Sequence, residues 1–469
     1  MQEYLSQRLA RHVAEVGFDA LSPATVAATK RSLLDALGVT LAASSLGEGV
    51  GAFVSLAREV GGAAQSTLIG FGDSVPIGVA ALTNGAMAHA LDFEDAYDGA
   101  PVHPNAPTIP AALAIAESLP QASGKELILA IATGCDLVCR LGLALSENID
   151  DNGWYPPPIL GAFGATAAAA KLLRLDANQM LDAFSLTLCQ ATCSAELKYS
   201  PASTIRAVRD AFATQAGTQS ALLAQRGVRG FERPFEGKAG FFALYAHGNY
   251  DADILLGDLG SRFAGERISF KPWPSCRGTH ALIEGALDIA RCESVRAADV
   301  AATRMTGSPT QRMLDQPHAQ KRRPATAIDA KFSLPFTVAT ALVHGGVKLQ
   351  HFFPEALQDA AVIDLASRMS FEVDASYGMT GGRIEIHHRD GRVFSRRIDQ
   401  PYGHPSNPLS ERDLLAKFVD CAAHAATPLA PAKVERLAQN VLNLENLDSV
   451  RQALFDGLLS NSGVVHGKE

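Results

Sequence analysis

The sequence predicts a mostly α-helical protein in which a large all-helical domain is joined to a smaller α+β domain. Three observations carry this. Residues 1–265 are rich in Ala and Leu at helical spacing, and several stretches are apolar on most sides. Helices of that kind are enclosed by other helices. The composition changes near Phe263–Pro274, and residues 266–405 alternate short β-like segments with helical ones, the pattern of an α+β domain. Residues 406–469 are assigned back to the helical domain, the helical pattern resuming at Ser410. With 469 residues, 47% hydrophobic and 19% charged, the chain can bury sizeable cores, which excludes a disordered protein.

The elements follow in order. The first 18 residues, MQEYLSQRLARHVAEVGF, read as an amphipathic helix (Tyr4, Leu5, Leu9, Val13, Val16) and not as a signal peptide. Ser22-Pro23 opens a helix through Lys30–Leu41, and Ser123 with Glu126 forms a capping box for the run to Leu141. Gly161–Leu173 and Gln179–Cys193 are further apolar helices. In the α+β part, strands are expected at Arg267–Phe270, Val300–Met305, Phe371–Ala375, Arg383–His388 and Arg392–Ile398. Asp390-Gly391 between the last two is a hairpin signal. Helices are expected at Thr279–Arg291, Pro335–Val343 and Ala356–Ser367.

Charge and cysteine content narrow the function. With 41 Lys+Arg against 49 Asp+Glu the net charge is -8, which argues against nucleic-acid or anionic-membrane partners. Charged residues interrupt the apolar runs before ~20 residues accumulate, so no transmembrane helix is expected. Seven cysteines, an odd number, fit reduced thiols in a cytoplasmic protein. Cys135/Cys139 and Cys189/Cys193 are spaced four apart on apolar helices and read as core packing. His387 and His388 point to opposite faces of a strand and cannot share a metal. The Gly230–Lys238 stretch lacks the spacing and the hydroxyl residue of a phosphate loop. No metal and no organic cofactor is expected.

Four segments carry chemistry. In Asn84–Asp95, His89, Asp92 and Asp95 are three apart and share a face if helical; His103 follows in a Pro-rich loop. Capping and a core hydrogen bond are the alternative reading. Tyr155 precedes a helix of small residues and either lines a pocket or covers the core. Lys198 comes before a helix in which Arg206 and Arg209 form a basic stripe, fit for a substrate carboxylate or for an ion pair with Asp210 or Glu196. Finally, Lys271, Ser275, Arg277 and His280 crowd into ten residues that a stiff, Pro-bracketed segment can hold in fixed geometry.

Long motifs in these segments resemble the MmgE/PrpD family: Asn84-Gly-x-x-x-His-Ala-Leu-Asp-Phe-Glu-Asp95, His103-Pro104 and Lys271-Pro-Trp-Pro-Ser-Cys-Arg-x-Thr-His280. Leu34-Asp-x-Leu-Gly-Val, Ala330-Lys-Phe-Ser-Leu-Pro-Phe336 and Pro405-x-Asn-Pro-Leu409 match it too, so the similarity spans essentially the whole chain. The resemblance implies a helical domain, an α+β lid, a homodimer, and catalysis without metal or cofactor on a di- or tricarboxylic acid, by moving a proton next to a carboxylate. The matching functional positions are Asp92, His103, Lys271 and His280. Tyr155 stands where dehydratases and decarboxylases of the family usually have His, and Arg206 and Arg209 replace a usual Lys-x-x-His pair. His103 and His280 are the implied acid/base candidates. Asp92 would orient a histidine or act as base, and Tyr155 would donate to a leaving hydroxyl. Lys271, Arg206 and Arg277 would stabilise the developing charge, with Arg209, Ser275, Lys198 and Asp95 as further substrate contacts. The implied activity is first a 2-methylcitrate dehydratase-like hydro-lyase. A cis-aconitate decarboxylase-like carboxy-lyase and a dicarboxylate epimerase or isomerase follow, and a non-catalytic family member comes last.

Overall fold

The computed structural model describes residues 3–200, 203–456 and 458. They divide into two compact units. The first comprises the chain up to Ala90, Glu94–Ile268 and the chain from Glu411; the second comprises Leu91–Phe93 and Ser269–Ser410. The fold class is the expected one, a large helical unit and a smaller α+β unit.

The first unit begins with α1 (Leu5–Glu15), α2 (Pro23–Leu46) and α3 (Val50–Val60), then a small antiparallel ribbon, β1 (Ser66–Thr67) with β2 (Ser74–Val75). It continues through α4 (Ile77–His89), α5 (Asn105–Ser118), α6 (Gly124–Ala144), α7 (Pro156–Leu172) and α8 (Ala177–Leu188). The short α9 (Ile205–Val208), α10 (Asp210–Gln225), α11 (Phe241–Tyr245) and α12 (Ala252–Leu256) follow. The starts are where the caps predict them: Ser22 Oγ accepts from Thr25 N at 3.0 Å, and Ser123 and Glu126 exchange both capping-box bonds. Helix α7 is the hub, buried along nearly its whole length and packed against α5, α6 and α10. Small residues allow this. A Cβ on Gly217 of α10 would stand 2.6 Å from Ala165 Cβ and 2.7 Å from the Ala162 carbonyl oxygen, so the two backbones approach only because that side chain is absent. Helix α6 is long and apolar enough to cross a bilayer, yet 89% of its apolar window is buried inside the fold. It carries the buried Asp136–Arg140 pair at 2.6 Å and packs against α5, α7 and α2 as a core helix.

The second unit holds α13 (His280–Cys292), β3 (Val300–Gly307), α14 (His318–Arg322), α15 (Ala327–Lys331), α16 (Leu334–His344), α17 (Ala360–Ser367), β4 (Met369–Val373), β5 (Gly382–His388) and β6 (Val393–Ile398). The sheet order is β4-β3-β5-β6, with β3 parallel to β4 and the other pairs antiparallel. Gly391 turns the β5–β6 hairpin at φ 92°, as Asp-Gly predicts. Helix α13 packs on β5 and β6, and Leu282, Ile283, Met305, Ile384 and Ile386 fill the core. The expected strand at Arg267–Phe270 does not form: Arg267 closes a 3-10 turn, and Phe270 N bonds to the Gly403 carbonyl at 3.0 Å as a single contact and not as part of a ladder.

Past Ser410 the chain adds α18 (Glu411–Ala422) and α19 (Pro431–Leu442) to the first unit. Lys417 on α18 is paired with Asp35 inside α2 at 2.7 Å, both side chains buried. Lys30 reaches Glu445 at 2.7 Å.

Candidate active site

Helix α4 is buried from Thr83 onward and ends at His89. His89, Asp92 and Asp95 therefore do not share a helical face, which corrects the sequence expectation. Asp92 takes φ 50°, a left-handed conformation that the short polar side chain of Asp tolerates. The carbonyls that would have continued the helix are taken by lysines: Lys331 Nζ donates to the Leu91 carbonyl at 2.6 Å and Lys271 Nζ to the Asp92 carbonyl at 3.1 Å.

In the first unit a carboxylate lies between two imidazoles. Glu94 Oε1 is 2.6 Å from His89 Nδ1 and 3.1 Å from His103 Nδ1. His89 and Glu94 are buried, and the His103 side chain is 18% exposed, which leaves it the accessible member. The partners fix the ring hydrogens. His89 Nε2 is bonded to the Arg209 guanidinium, which can only donate. That nitrogen therefore accepts, and His89 Nδ1–H donates to Glu94. His103 Nδ1 lies 2.6 Å from the Asp95 carbonyl oxygen, which can only accept. Nδ1 therefore carries the hydrogen, and a neutral His103 has its lone pair on Nε2.

The neighbours hold this arrangement. Asp95 Oδ2 accepts from Asn105 N at 3.2 Å at the start of α5, which fixes the loop carrying His103. Arg209 is buried and lies against Asp210, the ion-pair alternative of the sequence reading. Its Nη1 donates to the Arg206 carbonyl at 2.9 Å and its Nε stands 3.7 Å from Asp210 Oδ2. Asp210 is wholly buried; that burial pushes its carboxyl up to about 6, opposed by Arg209 and reinforced by Glu94. Tyr155, at the N-cap of α7, has Arg209 at 5.1 Å and Lys198 at 5.4 Å from its ring centroid. Lys198 is ion-paired to Asp150. Arg206 is half-buried. His89 and Glu94 are donor types a metal takes, but the guanidinium on His89 Nε2 already supplies the positive charge at this place.

In the second unit two permanent cations, Lys271 and Arg277, are held by partners within it. Lys271, fully buried, pairs with Asp92 Oδ1 at 2.9 Å. Arg277 donates to the carbonyls of Tyr402 at 2.9 Å and Pro401 at 3.2 Å. Its Nη1 also stands 3.3 Å from His280 Nδ1, while His280 Nε2 is 3.2 Å from the Ser275 carbonyl. His280 thus accepts at Nδ1 and donates at Nε2, the tautomer opposite to that of His103. Ser275 Oγ bonds to Thr279 Oγ1 at 2.8 Å, and the Trp273 ring meets His280 edge-on at 5.3 Å. These contacts brace the segment from Lys271 to His280.

Sequence reasoning singled out His103, Asp95, Tyr155, Arg206, Arg209 and Lys198, all in the first unit, and Asp92, Lys271, Ser275, Arg277 and His280, all in the second. It missed the parts played by Glu94 and Lys331, whereas His89 and Asp210 were named, the latter as an ion-pair partner for the arginines. Glu94 lay inside the Asn84–Asp95 motif, but a helical reading placed it off the face shared by His89, Asp92 and Asp95.

Comparison with known proteins adds two findings. The MmgE/PrpD N-terminal domain family matches residues 7–252 and the MmgE/PrpD C-terminal domain family residues 273–444. Among curated proteins, the cis-aconitate decarboxylase of Homo sapiens is 28% identical over 395 residues, covering 82% of this chain and 80% of its own. That of Mus musculus is 27% identical over 460 residues, covering 93% and 90%. That of Aspergillus terreus is 25% identical over 415 residues, covering 82% of each. These relatives are lyases by name.

Proposed function

The chain belongs to the MmgE/PrpD family, and we propose that it is a carboxy-lyase acting on cis-aconitate or a closely similar tricarboxylate. The sequence motifs alone put a 2-methylcitrate dehydratase-like hydro-lyase first. The relatives named above reverse that order, since all three carry the name of a decarboxylase.

The observation that carries the reading is His103, whose Nδ1–H is committed to Glu94 and the Asp95 carbonyl. In the loss of CO2 from cis-aconitate, the bond from carbon to one carboxylate breaks. Its electron pair moves across the alkene toward a second carboxylate. A proton then quenches the distal carbon, giving an unsaturated dicarboxylate; one proton is consumed and one CO2 released. His103 Nε2 delivers that proton, with Glu94 stabilising the imidazolium that donates it; a positioned acid of this kind is worth ~10²–10⁴-fold. Fixed cations lower the barrier by holding the carboxylate on which charge gathers, and Arg206, half-buried in the same unit as His103, is the group assigned to this.

Incubating the purified chain with cis-aconitate in deuterated water tests the reading by NMR. One CO2 released per deuterium incorporated into an unsaturated dicarboxylate supports it. A new alkene formed from 2-methylcitrate, with no CO2 from cis-aconitate, overturns it in favour of the hydro-lyase.

A further inference from the structure

We infer that His89 and Glu94 form a buried positioning pair for His103, with Arg209 fixing His89 in the tautomer that serves Glu94. The inference rests on the reading of His103 as the proton-transfer residue.

Glu94 uses one oxygen, Oε1, for both histidines. A carboxylate held by a single side chain swings about its last torsion; a second donor stops it. His89 is that donor. Its ring is fully buried and both of its nitrogens are engaged, Nδ1 with Glu94 at 2.6 Å and Nε2 with the Arg209 guanidinium. A ring held by a permanent cation on one side gains little by taking a second proton there, because that would set two positive groups against each other in a buried place. Protonation is thereby directed to His103, whose Nδ1 faces an anion and a carbonyl. The other charged groups of this unit around the pair are Asp210, whose Oδ2 stands 3.7 Å from Arg209 Nε and 4.0 Å from His89 Nδ1, and Asp95, whose Oδ2 accepts from Asn105 N. The resulting order is guanidinium, imidazole, carboxylate, imidazole. The inner imidazole positions and the outer one exchanges protons.

The test separates positioning from proton transfer. In substrate-free protein, a nitrogen-15 NMR titration of His103 is expected to move to lower pH by ~1 unit in Glu94→Gln, because the anion that favours the imidazolium is gone. In turnover, Glu94→Gln and His89→Ala are expected to lower kcat ~10–100-fold with KM changed by less than ~3-fold. His89→Gln can still donate to Glu94 through its amide NH2 and accept from Arg209 through its amide oxygen, and it is expected to recover most of the His89→Ala loss. Equal loss in His89→Gln and His89→Ala would overturn the inference, because the ring itself would then be titrating in the reaction. An unmoved His103 titration in Glu94→Gln would overturn it as well. That titration needs no substrate, so it stands apart from any failure of the carboxy-lyase assignment.

Discussion

In the first unit Glu94 is shared by two imidazoles, His89 and His103; in the second, Lys271 is set against Asp92 and Arg277 against the carbonyls of Tyr402 and Pro401. The first cluster contains histidines, the residue type whose unperturbed titration lies near neutrality, whereas lysine and arginine keep their charge. The two histidines named from the sequence fall on opposite sides of this divide. His103 has its hydrogen on Nδ1 and is partly accessible; His280 has both nitrogens tied to its own segment and is buried. Residue type alone would have given them the same role. The partner at each ring nitrogen distinguishes them.

Substitutions can break or sharpen the contrast. The largest effect is expected from His103→Asn, with kcat for cis-aconitate falling ~10²–10⁴-fold and the unfolding temperature little changed, because the side chain is partly exposed; calorimetry beside steady-state kinetics checks both. Lys271→Met leaves Asp92 buried without its counter-charge and is expected to cost ~3–5 kcal/mol in urea unfolding. The Asp92→Asn, Lys271→Met pair should recover part of that loss. His280→Asn is expected to lower kcat by less than ~10-fold, below the range of an acid/base residue, and a loss equal to that of His103→Asn would erase the distinction between the two rings.

The smallest effect concerns stability against pH. Burial, with Arg140 and Lys171 nearby, lowers His12 in the first unit from 6.5 to about 4, and burial beside His344 and Lys348 lowers His351 in the second to about 4. A depressed pKa means that the unfolded chain binds the proton first. The stability tied to each ring is therefore full above pH 6.5 and is lost as the pH falls to about 4. His12→Gln should flatten the urea midpoint against pH across that window; an unchanged slope would show that the ring is not held neutral.

Local signals were legible in the sequence. Ser22-Pro23, the Ser123–Glu126 box and Asp390-Gly391 each fix a backbone event through their own chemistry, and each is found where it was read. What the sequence hid depends on distant partners. Helix α4 stops at His89 in the absence of a glycine or proline there, while lysines from residues 271 and 331 take the next carbonyls. Helix α8 ends at Leu188, short of the expected Cys193, because Trp154 and Ser194 form a bridge, Tyr155 N bonds to the Cys193 carbonyl, and the chain there is extended. Arg209 turns inward because Asp210, His89 and the Tyr155 ring receive it. The residue types of the site could be read in advance, but the breaks that set Glu94 between two histidines could not.

Carbon dioxide release measured together with solvent deuterium uptake, for the wild-type chain and His103→Asn on cis-aconitate, tests the account most directly. The account predicts equal molar amounts of the two in the wild type and a parallel collapse of both in the variant. Gas release that survives the substitution undiminished would contradict it.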